Sequence, residues 1–256
     1  MPEMSSILIS LSSFGAAEVR RHGQPWFTRL AAQAGADGIE VRGELLVDGE
    51  AELPAIADAA GPLQLVYSSP EGLWSEAGSL DRDALERALR AAGRLGAARL
   101  KMSIGGWTAA SSGSLPRLGD RLADAGVELL IENDQTAGAG TLTALARFFD
   151  AAQAHGLQLG MTFDMGNWHW TGECPLQAAA TLAPRVAYVH CKGVQRQPQR
   201  WIAVPLGESA APWRAVLRGL PGGRPWAIEY PLAGEDLLAL TRREVEQLRA
   251  VARSLA

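Results

Sequence analysis

Four side chains share one position in the pattern and could share one chemistry. Apolar runs end on Glu132 in VELLIEN, on Asp164 in LQLGMTFDMGN, on His190 in RVAYVH and on Glu229 in RPWAIEY. An ionised carboxylate at the tip of a buried run is costly unless something compensates it. Three carboxylates and one imidazole form a mostly hard donor set. That set suits one divalent metal, Mn2+ foremost with Mg2+ or Co2+ as alternatives, and water or substrate oxygens can complete an octahedron. Without a cation, three carboxylates this close repel one another and some must take up protons. Each residue alone has a plainer explanation, as a helix cap, an ion-pair partner or a satisfied core histidine. Four at equivalent points of four successive strands point to a shared metal.

Such a site suits proton abstraction beside a carbonyl. A metal on the carbonyl and neighbouring hydroxyl oxygens acts as a Lewis acid towards the resulting cis-enediolate. One carboxylate removes the proton, and in an epimerase a second returns one on the opposite face. Glu132 and Glu229, from strands five and eight, could flank a substrate bound between them. Lys101 and Lys192 could grip the carboxylate or phosphate of a sugar acid. Glu40 could bind hydroxyls or form an ion pair with Arg42 or Lys101. Trp107 and Trp168, with Trp74, Trp170 and Trp201, follow expected strand ends, where indole faces could cover a sugar or merely pack the loops. Asn167 and His169 are further candidates for substrate contact.

The elements that must position these groups follow one rhythm. Strands are expected at Ile7–Leu11, Gly38–Val41, Leu63–Tyr67, Arg99–Ser103, Val127–Glu132, Leu157–Phe163, Val186–His190 and Trp226–Tyr230. Helices are expected between them. The clearest repeats Leu85, Ala88, Leu89 and Ala92 at helical spacing, with Asp81 near its start and Gly96 beyond its end. Short, continuously apolar strands suit a parallel sheet buried on both faces. Eight strand–helix units in this length predict an α/β fold, a (β/α)8 TIM barrel forming a single domain over 1–256. No Gly-x-Gly-x-x-Gly loop follows the first strand, which disfavours a dinucleotide-binding sheet. In a barrel the strand C-termini carry the reactive groups, so the four residues fall on one arc of its mouth.

The bulk properties narrow the partners. The chain has a formal net charge of -4 and no basic run, which argues against nucleic acid. Its two cysteines, Cys174 and Cys191, are too few for a disulfide framework or a thiolate zinc site. No signal-like N-terminus and no apolar stretch of the roughly 18 residues needed for a membrane span is evident. The expectation is a cytoplasmic protein with a small-molecule substrate.

The E-N run after strand five, T-F-D-x-G-N at strand six, V-H-x-K at strand seven and the closing I-E-Y resemble the xylose isomerase-like TIM barrel superfamily. The resemblance covers the whole chain and is most specific from Val127 to Tyr230. It is nearest to the sugar isomerase/epimerase branch with ketose 3-epimerases and hydroxypyruvate isomerase, and more faintly to epimerases associated with 2-ketogluconate use. It implies that the four residues bind one Mn2+ or similar ion and that Glu132 and Glu229 also serve as acid and base. It further implies that Arg196, six residues after His190, holds substrate oxygens. Asn167 stands where ketohexose epimerases often carry a histidine, and Gly138 where they place a glutamate, so the particular sugar does not transfer. The DNA-repair branch needs many more than the four histidines present. The leading expectation is therefore a metal-dependent isomerase or epimerase of a keto-sugar or sugar acid. A dehydratase on the same site is the alternative, and a non-catalytic sugar-binding barrel the third reading. Dimers are common among such barrels, so a homodimer is allowed.

Overall fold

Runs rich in Ile, Leu and Val that are buried along their length need a sheet covered on both faces. In the computed structural model, which describes residues 5–255, eight such runs close into a parallel barrel. The strands are β1 (Ile7–Ser10), β2 (Gly38–Arg42), β3 (Gln64–Trp74), β4 (Arg99–Gly105), β5 (Glu128–Glu132), β6 (Gly160–Asp164), β7 (Val186–Cys191), β8 (Gly193–Arg196), β9 (Trp201–Val204) and β10 (Trp226–Ile228). Around the barrel they run β1-β10-β7-β6-β5-β4-β3-β2, while β8 and β9 form a separate antiparallel hairpin. Residues 1–4 and 256 of the expected domain lie outside the described residues.

The helices are α1 (Ala16–His22), α2 (Gln24–Gln33), α3 (Leu53–Ala60), α4 (Arg82–Leu95), α5 (Leu115–Ala123), α6 (Leu142–Ala154), α7 (Pro175–Leu182), α8 (Trp213–Arg218) and α9 (Leu237–Leu255). In α4 the Asp81 carboxylate accepts from the Ala84 amide at 2.9 Å, which satisfies an otherwise unpaired N-terminal donor. Gly96 closes α4 at φ 71°, a left-handed conformation that glycine adopts without penalty. The large apolar core lies between these helices and the outer face of the barrel. A second cluster, Leu8, Val66, Leu130, Tyr188 and Ala227, plugs the barrel interior.

Several elements depart from expectation. Strand six starts at Gly160 rather than Leu157, because the Leu157 amide donates back to Ala152 and belongs to the closing turn of α6. β3 runs on to Trp74, where a loop is expected from Ser68. It passes Pro70 by a register shift between Ser68 and Gly72 and pairs again with β4. Gly72 is needed there, since a Cβ on it would lie 2.8 Å from the Gly105 Cα. The helix α1 and the β8–β9 hairpin lie in segments to which the sequence reading assigns no element of their own. Among the described residues no helix is long and apolar enough to cross a membrane.

Candidate metal and proton-transfer site

Strand alternation brings the four expected ligands to one place. Asp164 ends β6 directly beside His190 of β7, and Glu229 follows β10, whose Ala227 is the register partner of His190. One ligand atom from each of Glu132, Asp164, His190 and Glu229 lies within 4.8 Å of the others. His190 is the centre. Its Nδ1 lies 3.0 Å from Glu229 Oε2, 3.1 Å from Glu132 Oε1 and 3.7 Å from Asp164 Oδ2. That Nδ1 is buried and makes no hydrogen bond, which leaves an unpartnered ring nitrogen aimed among three carboxylate oxygens. Its other nitrogen, Nε2, is 2.7 Å from Glu40 Oε2. A carboxylate on the far side of a histidine fixes the ring and its tautomer for metal binding. The donor set and its orientation fit a divalent cation.

Three cations share the cluster. Lys101 Nζ donates to Glu132 at 2.9 Å and to Glu40 at 3.2 Å. Lys192 Nζ donates to Asp164 at 2.7 Å and to Asn167 at 3.1 Å, and lies 2.8 Å from Glu229. Arg42 Nη1 donates to Glu229 Oε1 at 2.7 Å and to Glu40 at 3.2 Å. The electrostatics follow from these pairings. Burial pushes the Glu229 pKa up, but His190 and Lys192 outweigh it and hold the carboxyl well below its usual range. Burial opposes charge on His190 too, yet Glu229 and Glu40 raise its pKa well above the ordinary value. Asp164 differs: burial raises its pKa and Lys192 only partly offsets that.

Asn133, part of the E-N run, ties the ligand strands together. Its side chain accepts from the Asp164 amide at 2.8 Å and donates to the Asp164 carbonyl at 2.9 Å. Asp164 Oδ1 in turn accepts from the amides of Gly166 at 2.8 Å and Asn167 at 2.9 Å. Beside the cluster, a cavity is lined by Ser12, Ser13, Lys192, Glu229 and Tyr230.

Other expected site residues lie elsewhere. Trp168 is fully buried against Phe163 and Trp107 packs edge-on to Phe148, so neither offers an open indole face to a ligand. Of the two readings open for these rings, their contacts are those of side chains that pack the loops. Arg196 sits on the exposed hairpin with its guanidinium 5.4 Å above the Trp201 ring, and His169 packs 4.8 Å from the same ring. Among the described residues neither side chain makes a hydrogen bond or ion pair with the four-residue cluster. Arg42 was absent from the candidate set because a strand-end arginine reads as a surface charge. The signal was its place two residues after Glu40, on the same inward face of β2.

The sequence profile of the xylose isomerase-like TIM barrel family matches residues 28–251. No curated protein matches the chain in sequence. Solved structures share the fold at low identity. The probable 3-DHS dehydratase AsbF of Bacillus anthracis has a TM-score of 0.68 at 15% identity, over 95% of this chain and 98% of that one. The 3-keto-D-glucoside 4-epimerase YcjR of E. coli has a TM-score of 0.67 at 15% identity, over 96% and 99%. The D-allulose 3-epimerase of Methylomonas sp. has a TM-score of 0.69 at 17% identity, over 97% and 98%.

Proposed function

The chain belongs to the xylose isomerase-like TIM barrel family, and from that premise we propose a divalent-metal-dependent isomerase or epimerase of a keto-sugar or sugar acid. One observation carries this reading. Asp164 and His190 are 0% exposed, whereas the side chains of Glu132 and Glu229 are 16% and 11% exposed. Two members of the cluster are fully enclosed, and two carboxylates reach the mouth, where a substrate would meet them.

Glu132, Asp164, His190 and Glu229 would hold the ion, Mn2+ foremost, which when bound supplies Lewis acidity towards adjacent substrate oxygens. The chain's own residues do the rest. Proton transfer at the carbon beside the carbonyl falls to the carboxylates that reach the mouth. Glu40 and Lys101 hold His190 and Glu132 in place. Lys192 faces the cavity and can pair with an anionic substrate group. Ser12 and Ser13 offer hydroxyls to a polyol in the same cavity. The dehydratase reading needs an acid above a leaving hydroxyl. Lys101 is 1% exposed and bonded to two glutamates, and His169 packs on Trp201, so that reading stands second.

The test is a panel of keto-sugars and sugar acids in D2O with Mn2+, followed by NMR. Deuterium should enter a carbon beside the carbonyl without net loss of water, and Glu132→Gln should slow this by about 10²–10⁴-fold. A deoxy-keto product would mean a dehydratase instead. No exchange from protein carrying its metal would remove the reading.

A further inference from the structure

The three carboxylates of the cluster are not equivalent. Asp164 has both oxygens engaged, Oδ1 by two backbone amides and Oδ2 by Lys192. Glu229 has Oε1 held by Arg42 at 2.7 Å, while its Oε2 makes no hydrogen bond but is buried, 2.8 Å from the Lys192 ammonium and closed off from a ligand. Glu132 has only Oε1 engaged, by Lys101 at 2.9 Å with His190 Nδ1 at 3.1 Å. Its Oε2 has no hydrogen-bond partner among the described residues, and it is not among their buried unpaired atoms.

Arg42 is built to stay where it is. The buried Gln24 side chain clamps its backbone from both sides, donating to the Arg42 carbonyl and accepting from the Arg42 amide, each at 2.9 Å. Glu44 takes the other edge of the guanidinium at 2.9 Å, through Nε and Nη2. Glu40 and Ser10 meet Nη1 on its remaining side. A planar guanidinium fixed at both edges holds its carboxylate partner as an anion in a set orientation.

We infer that Glu132 alone moves protons to and from carbon, and that Arg42 is a positioning residue that withholds Glu229 from this role. This rests on the metal-dependent reading above and narrows it. With one proton-transfer carboxylate, protons leave and return on a single face of the substrate. That is the requirement of a carbonyl shift between neighbouring carbons, whereas inversion of a stereocentre needs a second group on the other face.

The step balances without a co-reactant. Glu132 Oε2 takes the proton from the hydroxyl-bearing carbon. The C–H electron pair becomes the new C=C bond, and the carbonyl π pair moves onto oxygen. The same carboxylic acid then returns the proton to the former carbonyl carbon, as the first carbon's hydroxyl becomes the new carbonyl and its proton passes to the second oxygen.

The experiment uses full-length, Mn2+-loaded protein in D2O with D-fructose, dihydroxyacetone and hydroxypyruvate, each of which has a CH2OH group beside its carbonyl. Wild-type protein should exchange one of the two prochiral hydrogens of that group, and fructose should keep its configuration at C3. Arg42→Met should let the second hydrogen exchange as well, and Arg42→Lys should restore exchange of one. Comparable exchange of both hydrogens by the wild type, or inversion at C3 of fructose, overturns this inference and leaves the isomerase/epimerase reading intact. No exchange with any of the three removes both. A Mn2+-loaded crystal structure gives a readout independent of turnover. Arg42 should remain on Glu229, and a broken pair overturns the inference.

Discussion

The barrel interior holds two layers of opposite chemistry on the same strands. The lower layer, Leu8, Val66, Leu130, Tyr188 and Ala227, is apolar and fully buried. Two residues further along the same strands stand Ser10, Ser68, Glu132, His190 and Glu229. Inward positions recur every second residue in a strand, so the change happens across a single step of the pleat. The lower layer keeps water from reaching the charges from below, and a drier surrounding strengthens each pairing above it. The rings of Tyr188 and His190 mark the boundary, edge to face with centroids 5.2 Å apart. The difference teaches that one layer sets stability and the other sets chemistry, and that substitutions should separate the two.

The largest effect is expected in the upper layer. Asp164→Ala should weaken Mn2+ binding by about 100-fold or more, read by metal titration, with little change in the fold. Full retention of metal would take Asp164 out of the site. Next is Leu130→Ala in the lower layer, which should cost about 2–5 kcal/mol of stability in chemical denaturation yet leave one metal bound per chain. Loss of metal there would mean that the layers are not separable. Glu40→Gln tests the support behind His190. It keeps the shape of the side chain but weakens its grip on His190 Nε2, and should reduce metal affinity about 10–100-fold. The smallest effect belongs to Tyr188→Phe. The Tyr188 hydroxyl is buried without a partner among the described residues, so its removal should change stability by no more than about 1 kcal/mol. A much larger loss would show that the hydroxyl is bonded in solution.

The barrel was legible because its strands are short, apolar and evenly spaced, and because four of them end on groups that apolar runs do not otherwise carry. The same reasoning found Glu132, Asp164, His190 and Glu229 together with Glu40, Lys101 and Lys192, all of which the structure gathers in one cluster. It failed where local signals conflict with tertiary ones. Pro70 reads as a strand breaker, but the register shift around it lets β3 continue. Trp107 and Trp168 allow two readings, cover for a ligand or packing of the loops, and only the fold brings Phe148 and Phe163 against them. The pairing of Arg42 with Glu40 was visible two residues away, but its hold on Glu229 and its clamp by Gln24 join distant parts of the chain that no local window spans.

Asn133 has a consequence for how a ligand is received. One side chain holds both the amide and the carbonyl of Asp164, so the segments leaving β5 and β6 are stitched into one piece. The acceptor array therefore does not have to be assembled on arrival. The conformational entropy of ordering it is lost once, during folding, and an incoming ion meets the cost of shedding its hydration shell and of displacing Lys192 from Asp164 and Glu229.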